Sequence, residues 1–75
     1  MIMNINLEFR NANQVLPQKS DRYVCLTGHT LQVLPYSARH NRFNVNDWDE
    51  PEQAAEFAIK IRWWATLPSP LRNVI

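Results

Sequence analysis

One cysteine, one glycine and no long apolar run are present in 75 residues, and each scarcity excludes something. A lone Cys25 rules out an internal disulfide. Structural zinc usually takes four cysteine and histidine ligands, and only Cys25, His29 and His40 are on offer. Neither device that commonly staples a small domain is therefore available, and stability must come from packing or from self-association, so a homo-oligomer is expected. No apolar stretch nears the ~20 residues of a membrane span. The opening Met1-Ile2-Met3-Asn4-Ile5-Asn6 lacks the basic region of a secretion signal, so the expectation is a cytoplasmic protein with no membrane association. Excess charge of either sign is missing too: 8 Lys and Arg face 7 Asp and Glu, which is thin electrostatics for a dedicated nucleic-acid binder.

What is present reads as one α+β domain over 1–75, with a four- to five-stranded, mainly antiparallel sheet and one helix packed on one face. Met3, Ile5, Leu7 and Phe9 alternate with polar residues, the period of a half-buried strand ending near Arg10. Arg22 to Leu26 and Thr30 to Leu34 flank Thr27-Gly28-His29, where the only glycine can supply the positive φ of a hairpin turn. Pro35 is expected to end the second arm, and a short strand around Phe43 to Val45 follows. Asp49 suits a helix N-cap, with Glu52 closing a capping box and Pro51 tolerated in the first turn. The same helix start explains the acidic run Asp47, Asp49, Glu50, Glu52 and Glu56 through the helix dipole. Helical and strand spacings overlap after Phe57. The β-branched and aromatic content of Ile59 to Trp64 places the helix end near Ile59 or Lys60, and a last strand runs to about Leu67. Residues 68–75, with Pro68 and Pro70, read as a tail. The expected core is Ile5, Leu7, Val24, Leu26, Leu31, Val33, Phe43, Phe57, Ile61 and one of Trp63 and Trp64.

Phe9, Leu16-Pro17, Tyr23-Val24, Tyr36, Phe43 and the stretch Ile61-Arg62-Trp63-Trp64-Ala65-Thr66-Leu67-Pro68-Ser69-Pro70 follow one another in an order that resembles a small domain of unknown function found in phages and prophages. Its members carry a C-terminal stretch like Val-Thr-His-Trp-Met-Pro-Leu-Pro. Here Phe9 stands for an initial tryptophan, Trp63 for the histidine, and the segment from Asn46 to Ala58 is longer. The resemblance implies that Trp64 lies on a strand and that the chain is an accessory protein acting in a bacterial cytoplasm; it implies no reaction.

The catalytic candidates are weak. Cys25 and His29 sit four residues apart in an extended pattern, roughly 13 Å, too far for a thiol and its base. Cys25, His29, His40 and Asp47 match no compact ligand spacing, so no metal and no cofactor is expected. Asp47 and Asp49 near a polar helix start both stay ionised, which leaves no acid and base pair. A non-enzymatic role follows. Basic and aromatic residues interleave at Tyr36, Arg39, His40, Arg42 and Phe43, so a weak single-stranded nucleic-acid module using Tyr36, Arg39, Arg42 and Phe43 is the alternative. The stronger signal is aromatic. On a strand, Trp63 and Trp64 point to opposite faces, so one lies either under the tail or open to a partner. Trp48 either staples the helix start against Gln53 or Ala54 or makes an exposed contact. The leading expectation is a module that binds and modulates a host protein, such as a component of a host defence system, through Trp63, Trp64 and Trp48. Self-association is expected through the first strand as an open sheet edge.

Overall fold

The structure, a computed structural model, describes residues 5–72. Its elements are β1 (Arg10–Asn11), β2 (Asp21–Thr27), β3 (Thr30–Ser37), β4 (Arg42–Phe43), α1 (Pro51–Phe57), β5 (Trp63–Thr66) and α2 (Ser69–Arg72). All pairings are antiparallel, in the order β1-β5-β2-β3-β4. The expected α+β architecture with an antiparallel sheet is therefore present, and its centre is the β2–β3 hairpin. Gly28, at φ 61°, is the first of the two turn residues, the position that a type II′ hairpin gives to glycine.

The first strand differs from the expectation. Met3 and Asn4 lie outside the described residues, and residues 5–9 join no ladder; only Arg10 and Asn11 pair, with Trp64 and Trp63. Burial nevertheless alternates from Ile5 to Glu8, and Leu7 packs onto the sheet. The period was satisfied by a segment that covers the sheet rather than by one that extends it. Asn11 then stops the strand, because its Oδ1 accepts from the Asn13 amide at 2.8 Å and turns the chain.

Pro35 does not end β3, which continues to Ser37. Its carbonyl accepts from the Asn44 amide at 2.7 Å, so the backbone of residue 35 addresses β4 rather than β2. The missing proline donor thus costs no bond in the hairpin. The strand at Phe43 is shorter than expected, because Asn44 takes φ 64° and leads the chain out of the sheet.

The helix starts one residue late. Glu50 is the N-cap, its amide donating to Gln53 Oε1 at 3.1 Å, and Pro51 occupies the first turn. Asp49 instead accepts from the Asn46 amide through Oδ2 at 2.8 Å. The helix also stops early, at Phe57, because Ile59 is drawn into a bridge with Phe43. Only Ala54 of α1 is buried, and Phe57, expected in the core, is 47% exposed. Residues 69–72, expected as part of a tail, form one helical turn, α2.

Buried residues occupy both faces of the sheet. On one, Tyr23, Cys25, Leu34, Tyr36, Phe43, Ile61 and Trp64 form a cluster. Its rings run strand to strand: Trp64 of β5 meets Tyr23 of β2 edge-on at 5.3 Å, Tyr23 meets Tyr36 of β3 at 6.2 Å, and Tyr36 meets Phe43 of β4 at 4.7 Å. Each such pair adds about 0.5–1.5 kcal/mol to its area burial. The Arg10 guanidinium closes the row from β1, 5.6 Å from the Trp64 ring centre. Polar ring tips bond to loops, with Trp64 Nε1 donating to the Val15 carbonyl at 2.9 Å and Tyr23 OH to that of Lys19 at 2.8 Å. On the other face Val24, Ala65 and Leu67 are buried, with Leu7, Val33 and Leu71 against them. Leu31, expected inside, is 55% exposed, and Ile5 and Leu26 are only partly buried.

Candidate contact surface

Between β4 and α1 the chain makes a loop whose shape is set by side-chain oxygens. The Ser20 and Ser37 hydroxyls both donate to Asp47 Oδ1 at 2.7 Å. Ser20 Oγ in turn accepts from the Ala38 amide at 2.8 Å, and Ser37 Oγ from the His40 amide at 3.1 Å. Arg39 Nη1 donates to the Asp47 carbonyl at 2.8 Å, and His40 Nε2 donates to the Asp49 carbonyl at 2.9 Å. The hydrogen bonds from Ser20 and then Ser37 hold the Asp47 carboxyl below the usual carboxylate range. Asp47 and Asp49 are thus both tied down, and between them Trp48 is 78% exposed. Trp48 is not a staple on the helix start. It borders an open groove of about 300 Å³ with Ser20, Asp21, Arg22, Pro35 and Tyr36.

The adjacent indoles of β5 part as an extended segment requires. Trp64 is 3% exposed within the aromatic row, and Trp63, opposite Leu26, is half-buried on the other face. Trp64, expected as a contact candidate, has no ring surface to give. Trp63 forms a cross-strand row with Leu26 and Leu31 at the hairpin end, and none of the three is fully buried.

The residues of the nucleic-acid alternative are not brought together as a stacking platform. Tyr36 and Phe43 are 2% and 4% exposed and pack on each other, so neither presents a face to a base. Arg42 is exposed, and Arg39 is bonded to the loop.

Ser37, His40 and Asp47 lie close in space without the geometry of a nucleophile. The Ser37 hydroxyl donates to a carboxylate, and the His40 ring is directed at the backbone of Asp49, so no imidazole faces that hydroxyl. Cys25 is fully enclosed; burial pushes its thiol up to about 11, and its Sγ lies 3.6 Å from the Tyr23 carbonyl. Among the described residues, no three His, Cys, Asp or Glu side chains converge as a metal site, and no helix is long and apolar enough to cross a membrane.

Sequence reasoning missed the two serines. Ser20 and Ser37 are far apart in the chain and meet only because Asp21 and Tyr36 are partners in the hairpin. The Asn46, Asp47 and Asp49 cluster was the available signal, since such side chains accept from nearby amides when no helix claims them. Comparison with protein-family models, with curated proteins and with solved structures finds no match for this chain.

Proposed function

We propose that the chain is a small non-enzymatic module that binds another protein, with Trp48 as the leading contact residue and Trp63 as a second. The observation that carries this reading is a mostly exposed indole set between Asp47, whose carboxylate and carbonyl are hydrogen-bonded to Ser20, Ser37 and Arg39, and Asp49, whose carbonyl is bonded to His40 and whose side chain closes the loop onto Asn46. Tryptophan supplies large contact area with few rotors, and a loop ordered in advance spares the entropy of ordering it on binding. The phage-domain resemblance gives the setting: an accessory protein in a bacterial cytoplasm whose target is a host protein, with an inhibitor of host defence as one form.

The test compares immobilised wild type, Trp48→Ala and Trp63→Ala in capture from host extract, with thermal melting of each. The reading expects a captured protein that Trp48→Ala loses while its melting temperature stays within a degree or two. Asp47→Ala should weaken the same capture with Trp48 intact, because the Ser20 and Ser37 hydroxyls lose their shared acceptor. Capture that is indifferent to all three substitutions overturns the assignment.

A further inference from the structure

The sequence points to the first strand as an open sheet edge, and β1 does lie at one edge; the β-hairpin offers a second at the other. Both outer strands, β1 and β4, are two residues long, and β4 covers β3 only at Tyr36 and Ser37. Along a strand, successive residues address their backbone groups to opposite neighbours. Pro35 addresses the β4 side, as its bond from Asn44 shows, so Leu31 and Val33 address that side as well. Beyond β4 nothing meets them: among the described residues no hydrogen bond reaches the outward amides and carbonyls of Leu31 and Val33. Their side chains share the face of Leu26 and Trp63, and Leu31 is the more exposed of the two.

We propose that this edge of β3 pairs with the same edge of a second copy of the chain. Charge and register choose the occupant. Sheet edges usually refuse their own copies by carrying charged side chains, and Thr27 to Leu34 contains no Asp, Glu, Lys or Arg. A two-fold axis through Gln32 places Leu31 opposite the second copy's Val33, and in that register every outward donor and acceptor of Leu31 and Val33 is paired. The same operation sets the open row Trp63, Leu26 and Leu31 beside the second copy's covered row of Val33, Val24 and Ala65. The apolar face of one copy then continues into that of the other, in one sheet running through both. Proline at an outward position is already accommodated in this strand at residue 35, which supplies a variant that removes an edge donor without touching the hairpin.

Light scattering over a wide concentration range is expected to show the mass rising from 8.9 kDa toward twice that value. Val33→Pro removes the edge donor from both copies and should weaken association by about tenfold or more. Leu31→Lys puts a charge on an exposed side chain of the edge and should leave the folded monomer. Circular dichroism checks folding, and if Val33→Pro does not fold, Leu31→Lys decides. Cys25 is the hairpin partner of residue 32, so the register is tested in a Cys25→Ser background: residue 32 alone faces itself across the axis, and oxidation of Gln32→Cys should yield a covalent dimer whereas that of Thr30→Cys should not. A wild type that is monomeric throughout, or a dimer that persists in folded Leu31→Lys, overturns the proposal. Trp48→Ala should dimerise like wild type, so failure here is separable from failure of the contact assignment.

Discussion

On one face of the sheet, seven side chains from β2, β3, β4, β5 and the approach to β5 bury one another, whereas on the other Val24, Ala65 and Leu67 rely on Leu7 and Leu71 from the two ends of the chain. The aromatic face is closed by the sheet's own strands and by polar ring tips that bond the loops to it. The opposite face is covered at Val24, Ala65 and Leu67 by segments laid over it, while Trp63, Leu26 and Leu31 stay partly open. A chain of this length has too little apolar surface to seal both faces. The difference puts most of the buried side chains on one side of the sheet and leaves part of the other exposed.

Two neighbouring tryptophans test that division most severely. Trp64→Ala should cost about 3–5 kcal/mol in urea denaturation, a large share of what a small domain has, because a ring in contact with Tyr23 and Arg10 is removed from a closed cluster. Trp63→Ala should cost less than half as much. Equal losses would mean that the two faces are sealed alike.

Thiol chemistry sharpens the same contrast without perturbing the core. With its thiol raised to about 11 and no solvent access, native Cys25 should alkylate at least about a hundredfold more slowly near pH 8 than in denaturant. Leu31→Cys adds a reference thiol on the open end of the other face. Mass spectrometry should then find one rapid label in the native variant and two in the unfolded one. Rapid double labelling would show that the aromatic face opens locally. A smaller effect is expected at the hairpin turn: Gly28→Ala meets no atom within 4 Å, yet it must hold a left-handed φ, which costs about 1–2 kcal/mol. That loss should appear in the stability of the whole sheet, since both faces depend on the β2–β3 register.

The hairpin, the helix start to within one residue and the strand at Trp63 were readable because each is written locally, in a lone glycine, a proline beside acidic residues and paired indoles. Which side of the hairpin is inside was not. Alternation in Arg22 to Leu26 fits either face, and since both faces of β2 are buried at Tyr23, Val24 and Cys25, period carries no preference there. The apolar Leu31 and Phe57 were assigned to the core, and the tyrosines that form it were left out, because hydrophobicity weighs the side chain and ignores the loop carbonyls and the asparagine Oδ1 that satisfy their hydroxyls. The Trp48 loop was equally opaque. Its shape depends on Ser20 and Ser37, whose meeting is a consequence of register and not of spacing.

The helical turn that brings Leu71 to the less covered face is itself tied to β2 by an ion pair, and there the comparison can be titrated. Arg72 of α2 grips the Asp21 carboxylate with Nη1 and Nη2 at 3.1 and 2.9 Å, while its Nε donates to the Leu67 carbonyl at 3.1 Å. That hydrogen-bonded guanidinium holds the Asp21 carboxyl below its ordinary value of 3.8. A carboxyl depressed on folding stabilises the native state fully above its unfolded pKa, and the contribution is lost as pH falls through the lower native one. The difference in melting temperature between wild type and Arg72→Ala should therefore be constant from neutral pH down to about 5, and shrink to nothing at the acid end. Asp47 is depressed by its serines in both proteins, so its share of the acid transition cancels in the difference. Both partners are partly exposed, so added salt should shrink the neutral-pH difference as well. If that difference is unchanged by acid and salt, the pair contributes nothing to holding α2, and Leu71 covers the face by apolar contact alone.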